Sequence, residues 1–136
     1  MELMSNPHTD QQPKGSFTRY HLPLIGYAVL VLVVSSLPNL KSPDVDGFAF
    51  DKVAHLGEYA VFALLAVRSW RRLARRRPEV WALVFTLVFA LADEFHQKFI
   101  PGREFDPGDL LANAAGALVG FVLTLIIRRR SSGTRH

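Results

Sequence analysis

Four long apolar runs constrain this chain more than any other feature. They cover residues 20–37, 53–70, 80–92 with an extension to 99, and 110–127. Each run approaches the roughly 20 residues that an α-helix needs to cross about 30 Å of hydrocarbon. Four such blocks in a chain of 136 residues leave little room for a soluble domain. The pattern therefore predicts an all-α, polytopic membrane protein with four transmembrane helices.

The segments around these runs define the predicted organisation. Residues 1–19 are polar and irregular, and we expect them to form a disordered cytoplasmic arm. Residues 20–127 are expected to form a four-helix membrane domain, followed by a basic cytoplasmic tail at 128–136. The first run follows a polar arm and lacks a small-residue cleavage pattern, so no signal peptide is expected.

Local signals predict where the helices begin. Pro23 suits the first turn of the first helix and Pro78 that of the third, because a missing N–H costs little there. The second helix is expected to start near Asp51, which could cap it. Asp106 followed by Pro107 predicts the N-cap and first residue of the fourth helix.

Charge predicts the orientation of the domain. The arm, residues 68–77 and the tail carry 12 of the 16 lysines and arginines. Nine of the twelve acidic residues lie in the segments on the opposite side. The positive-inside rule then places both termini in the cytoplasm of a multi-pass protein of a bacterial inner membrane. The net charge of +4 is thus interpreted as a topology signal with anionic-lipid contact, and no nucleic-acid partner is expected.

Polar residues occupy the outward third of three predicted helices. Residues 51–59, 93–97 and 109–113 each place several of them within one arc of a helix. Ionisable groups at such depth face the bundle interior or a wet cavity. We therefore predict an outward-facing polar pocket, without a metal or cofactor; the chain has no cysteine to supply thiolate ligands. Its candidate residues are Asp51, Lys52, His55, Glu58, Tyr59, Asp93, Glu94, Gln97, Arg103, Asp109 and Asn113.

Structural roles remain open for the same residues. His55 and Glu58 could share a local hydrogen bond, and Arg103 could merely neutralise Asp93 or Glu94. On the fourth helix, Asn113 could hydrogen-bond a neighbouring helix. Gly116 and Gly120 have a small-xxx-small spacing, so we expect a close helix contact below the polar residues.

The order and spacing of these motifs resemble the VanZ-like family of small bacterial membrane proteins, over about residues 22–125. The matching motifs are Ser35-Ser36-x-Pro38, Asp51-Lys52-x-x-His55-x-x-x-Tyr59, Asp93-Glu94-x-x-Gln97, Pro101-Gly102-Arg103, Asp109-x-x-x-Asn113 and Gly116-x-x-x-Gly120. The resemblance implies an integral membrane protein. The family is linked to reduced teicoplanin susceptibility and has no established biochemical activity.

The favoured hypothesis is binding or modulation of an anionic lipid headgroup or a lipid-linked cell-wall precursor. In it, three basic residues meet the anion and three acids hold them in place through charge-assisted bonds. The basic residues are Arg103, Lys52 and His55, and the acids are Asp93, Glu94 and Asp109.

Two other functions are considered. One is a membrane enzyme acting on a lipid-linked phosphate, with His55 as general base oriented by Asp51 or Glu58, and with Asp93 and Glu94 supplying an acid or a metal site. No strict catalytic signature supports it, so an enzyme is the less favoured class. The other is an ion or proton pathway, which ranks last because the polar groups stop in the outward third. The oligomeric state is left open.

Overall fold

The computed structural model describes residues 15–38, 45–73 and 76–133. These residues form five α-helices and no strand, which confirms the predicted all-α class. The helices are α1 (Gly15–Tyr20), α2 (Leu22–Ser35), α3 (Val45–Leu73), α4 (Pro78–Gln97) and α5 (Pro107–Gly133).

The long helices run alternately up and down between two ends of a bundle. At the polar end, α2 and α4 finish and α5 begins. At the arginine end, α3 finishes near Arg71 and Arg72, and α4 begins. Of these helices, α3 is central, because it contacts all four others and packs most extensively against α5.

Proline and capping signals explain several helix starts. Pro78 lies in the first turn of α4, directly after Arg77, whose φ of 46° and ψ of 53° reverse the chain. Asp106 Oδ1 accepts a 2.7 Å bond from the Gly108 amide and so caps α5 as predicted. Pro23 removes the N–H that would bond the Arg19 carbonyl, and Arg68 Nη2 donates to that carbonyl at 3.0 Å instead.

Three boundaries differ from the sequence prediction. Helix α3 begins at Val45, so Asp51 lies inside the helix and does not cap it. Residues 15–19, assigned to the arm, are helical in α1, whereas residues 1–14 of that arm lie outside the described part. Helix α5 continues past Ile127 to Gly133, since three arginines are good helix formers and no breaker precedes Gly133. Residues 134–136 of the tail also lie outside it.

Apolar packing fills the middle of the bundle. Phe62 on α3 is fully buried and stacks on Phe89 of α4, with ring centroids 4.6 Å apart. On the opposite face of α3, the glycines of α5 allow backbone contact. A Cβ on Gly116 would lie 2.2 Å from the Leu56 carbonyl oxygen, and one on Gly120 would lie 2.4 Å from that of Ala60.

Apolar side chains also cover much of the outer surface. Val29 of α2, Val88 of α4 and Leu111 of α5 are all more than half exposed. Within the described ranges, Pro107–Ser131 is the one helical stretch long and apolar enough to cross a membrane, and α2 is apolar but has only 14 residues. This finding supports one of the four predicted spans.

Candidate functional site

The eleven predicted pocket residues all lie at the polar end. Seven of them are buried: His55, Tyr59, Asp93, Glu94, Gln97, Asp109 and Asn113. The other four are partly exposed: Asp51, Lys52, Glu58 and Arg103. We call these eleven residues the polar cluster. Burying so many polar groups requires internal hydrogen-bond partners, and these partners divide the polar cluster into two groups.

The first group surrounds Asp93 and joins three helices. Ser35 Oγ on α2 donates to Asp93 Oδ1 at 2.6 Å, and Tyr59 on α3 donates to Oδ2 at 3.1 Å. Gln97 Nε2, one turn further along α4, is 3.5 Å from the same oxygen. These neutral donors compensate a carboxylate that is only 2% exposed. Asp93 therefore holds α2, α3 and α4 together and does not hold a base in place.

Arg103 has different partners from those suggested by its charge. Its Nη1 donates to Gln97 Oε1 at 3.0 Å, and its Nε donates to the Leu37 carbonyl beyond the end of α2 at 3.3 Å. It forms no ion pair with Asp93, Glu94 or any other carboxylate of the described residues. No ion pair supports the alternative in which Arg103 merely neutralises Asp93 or Glu94, and the guanidinium lies between two neutral oxygens.

The second group joins α3 to α5. Lys52 Nζ bonds Asp106 Oδ2 at 2.7 Å and also bonds Asp109 Oδ1. Deeper in the bundle, His55 Nδ1 lies 3.0 Å from Asn113 Oδ1. Lys52 is thus held between two carboxylates and joins α3 to α5, while its contact with an anion stays a prediction.

Glu94 connects α4 to the start of α5. Its Oε1 accepts the Asp106 amide N–H at 2.8 Å. Its Oε2 is fully buried and has no hydrogen-bond partner, as is also true of Asn113 Nδ2. A buried polar atom without a hydrogen bond lowers the free energy of unfolding by about 1–3 kcal/mol. Each of these two atoms could therefore accept or donate one further hydrogen bond to a bound molecule.

A cavity of about 260 Å³ opens between α2, α3 and α4. Its polar lining includes three acidic and two basic side chains. One of the acids is Glu58, whose carboxylate accepts no hydrogen bond from any described side chain. Glu94, Lys52 and Asn113 do not line it, so the polar cluster is only partly accessible from this cavity. The polar lining residues are Ser35, Asp51, His55, Glu58, Asp93, Gln97 and Arg103.

Sequence reasoning omitted two residues of this arrangement. Ser35 belongs to the Ser35-Ser36-x-Pro38 motif, but a serine near a helix end does not by itself predict a partner on α4. Asp106 was assigned only a capping role, although its second oxygen binds Lys52. His96 lies apart from the polar cluster, as its helical position indicates, with Nε2 3.0 Å from Ser36 Oγ.

The arginine end carries a separate network. Glu79 Oε1 lies 3.3 Å from Arg71 Nε and 3.0 Å from Arg128 Nη1. These two ion pairs join the start of α4 to the C-terminal parts of α3 and α5. Partial burial favours a higher pKa for Glu79. The backbone N–H and the two guanidinium groups outweigh it and hold that pKa below its usual range. Arg72 also lies over the Tyr20 ring, 4.2 Å from its centroid.

These features define a class of protein: a helical bundle with an apolar exterior and a hydrogen-bonded polar cluster buried at one end. The VanZ/LLP1 family model matches residues 3–128, nearly the whole chain. The chain therefore belongs to the VanZ/LLP1 family. Comparison with curated proteins and with solved structures finds no significant match.

Proposed function

We propose that this protein is a multi-pass protein of the bacterial inner membrane, with one span formed by the apolar run within each of α2 to α5 and with both termini in the cytoplasm. The distribution of side chains supports this, because valines and leucines face outward while Asp93, Glu94 and Asn113 are buried. The arginine end then faces the cytoplasm, and the polar end faces the outer leaflet.

We further propose that the 260 Å³ cavity binds the phosphate-bearing headgroup of an outer-leaflet lipid or lipid-linked envelope precursor. The observation that carries this is Arg103, a cavity-lining guanidinium that forms no ion pair with a carboxylate of the described residues and interacts with Glu58 only electrostatically, without a hydrogen bond. Guanidinium groups bind phosphate oxygens through paired, charge-assisted hydrogen bonds. Gln97 and the Leu37 carbonyl fix the side chain and leave part of its five-donor fork for a ligand.

The other lining residues restrict the headgroup. Glu58 and Asp51 add negative charge to the cavity, so a purely anionic ligand would be repelled. A headgroup that carries hydroxyl or ammonium donors beside its phosphate satisfies both acids and Arg103. At about 30 Å³ per water, the cavity holds roughly nine waters, or a small headgroup in their place.

Lipid co-purification tests this proposal. Wild-type protein and Arg103→Ala are extracted in a mild detergent, and bound phospholipids and lipid-linked precursors are quantified by mass spectrometry. We expect Arg103→Ala to lose a phosphate-bearing lipid that the wild type retains. Ala54→Leu, which fills the cavity without removing a polar group, should have the same effect. Arg129→Ala at the arginine end is the matched control, and an unchanged lipid profile in both cavity variants would contradict the proposal.

Catalysis on a lipid-linked phosphate is the second candidate. It is favoured by His55, which lines the cavity and whose ring is oriented by the contact of Nδ1 with Asn113. Glu94 does not line the cavity, so Asp51 or Glu58 is the better acid for such a reaction. Turnover of a phospholipid or precursor that survives both His55→Ala and Glu58→Gln would exclude this mechanism.

A proton pathway has little structural support. Below the polar cluster, buried hydroxyls on α4 and α5 are those of Thr86 and Thr124. Each bonds a carbonyl of its own helix, at 2.8 and 2.9 Å respectively. In the described part of the bundle these bonds do not form a relay toward the arginine end.

A further inference from the structure

Three ligand-type atoms converge where α3 meets the start of α5. His55 Nε2 lies 3.9 Å from Asp109 Oδ2 and 4.0 Å from Asp51 Oδ1. Each of the three residues offers one atom within 4.8 Å of the other two. We propose that Asp51, His55 and Asp109 form a divalent-cation site with zinc as the best-matched ion.

The spacing suits an ion better than direct hydrogen bonds. Separations of 3.9 and 4.0 Å are too long for hydrogen bonds between these atoms. An ion at the centre of the triangle would lie about 2.4 Å from each atom, near the ~2.0–2.2 Å of zinc bonds to nitrogen and oxygen. Small side-chain movements would close the difference.

Asn113 orients the histidine as a metal ligand requires. Its Oδ1 faces His55 Nδ1 at 3.0 Å, so Nδ1 is the donor of this pair, and Nε2, when it carries no proton, presents a lone pair to the two carboxylates. Three electron-rich atoms that face one another repel unless a cation lies between them. A ligating histidine commonly donates its other N–H to a fixed oxygen, which is the role of Asn113 here.

The surroundings of the site support the same occupant. Lys52 binds the other oxygen of Asp109, which leaves Oδ2 directed toward His55. Asn113 Nδ2 and Glu94 Oε2 are both fully buried and unpartnered, and Glu94 interacts electrostatically with His55 and Asp109.

The ligand set also selects the ion. Two carboxylates and one imidazole, with no thiolate in the chain, suit zinc or manganese more than magnesium, which prefers oxygen ligands alone. Three protein ligands leave at least one coordination position open. Asp51 and His55 also line the 260 Å³ cavity, so an open position is accessible from it. Cation binding itself does not depend on the proposed headgroup.

The test uses tag-free, chelator-treated full-length protein in detergent, without added lipid. Zinc is titrated by calorimetry, and cobalt is added separately to detect ligand-field absorption. We expect one zinc per chain with micromolar or tighter affinity. Affinity should fall at least tenfold in Asp51→Asn and His55→Ala and about 10–100-fold in Asn113→Ala.

Two variants serve as matched controls. His96→Ala removes a histidine from the same end, and Arg129→Ala removes an arginine from the opposite end; both should bind zinc as the wild type does. Asp51 is about one-third exposed at its side chain, so Asp51→Asn should remain folded. No zinc binding by the wild type at millimolar concentration, or unchanged affinity in both Asp51→Asn and His55→Ala, would overturn the proposal. Loss of zinc in these variants with intact lipid co-purification would confirm the cation site separately from headgroup binding.

Discussion

Ser35 Oγ lies 2.6 Å from Asp93 Oδ1, and this bond joins the last turn of α2 to the last turn of α4. Both residues are at most 5% exposed, so water cannot replace either partner. A hydroxyl near the end of one apolar helix thus compensates a carboxylate buried at the end of another. Without it, Oδ1 of a buried charge would have no donor among the described residues.

Removing that donor should destabilise the bundle. We expect Ser35→Ala to lower the free energy of unfolding by about 1–3 kcal/mol, because one carboxylate oxygen stays buried and unpaired. Thermal unfolding in detergent, followed by circular dichroism, measures the change. Ser131→Ala removes an exposed hydroxyl that donates only to its own helix and should have little effect. Equal melting temperatures for Ser35→Ala and wild type would show that Tyr59 and Gln97 suffice for Asp93.

A methyl group at Gly116 should separate α3 from α5. The added Cβ would lie 2.2 Å from the Leu56 carbonyl oxygen, and a backbone atom cannot rotate away. We expect Gly116→Ala to cost about 1–3 kcal/mol, as overpacked cores do. In Gly26→Ala the new Cβ meets nothing within 4 Å, so that helix should be stabilised by up to about 1 kcal/mol. Guanidinium or heat denaturation of the two variants compares them, and a harmless Gly116→Ala would contradict the close approach.

Glu79 should make the free energy of unfolding fall as the pH becomes acidic. Its pKa is lower in the folded protein than in the unfolded chain, so its contribution is present above the ordinary value of 4.5 and is lost as pH falls through the folded pKa. We expect Glu79→Gln to lower stability at pH 7 by roughly 0.5–1 kcal/mol, since Arg71 and Arg128 are partly exposed.

Melting temperatures of wild type and Glu79→Gln between pH 7 and pH 3 check this dependence. The two curves should converge at the acid end, where Glu79 is protonated. Glu104→Gln, which removes an exposed acid at the polar end, should run parallel to the wild type across the range. A constant difference between wild type and Glu79→Gln at all pH values would exclude the proposed charge pairing.

The proposed topology can be tested with single cysteines, because the chain has none of its own. Glu104→Cys at the polar end should react with a membrane-impermeant maleimide in intact spheroplasts. Arg129→Cys at the arginine end should react only after permeabilisation. The cysteine-free wild type measures the background. Labelling of Arg129→Cys from outside would contradict cytoplasmic placement of the C-terminus.

Local rules were sufficient for much of the architecture. The all-α class follows from four apolar runs, and the Asp106 cap and the Pro78 start follow from side chains that act on their own backbone. The predicted start of α3 near Asp51 is wrong. Aspartate is a common N-cap residue, but here the helix already begins at Val45, so Asp51 lies inside it. The neighbouring sequence does not distinguish an aspartate that caps a helix from one that lies inside a longer helix.

The sequence by itself determined which face of each helix is polar, because a period of 3.6 residues depends on one helix alone. Tertiary structure decided the partners: Arg103 binds Gln97 and not Asp93, and Lys52 binds Asp109. These pairings depend on the rotation and offset of neighbouring helices. Contacts such as Gly116 against Leu56 set that offset, and they join residues 60 positions apart, beyond the reach of any local pattern.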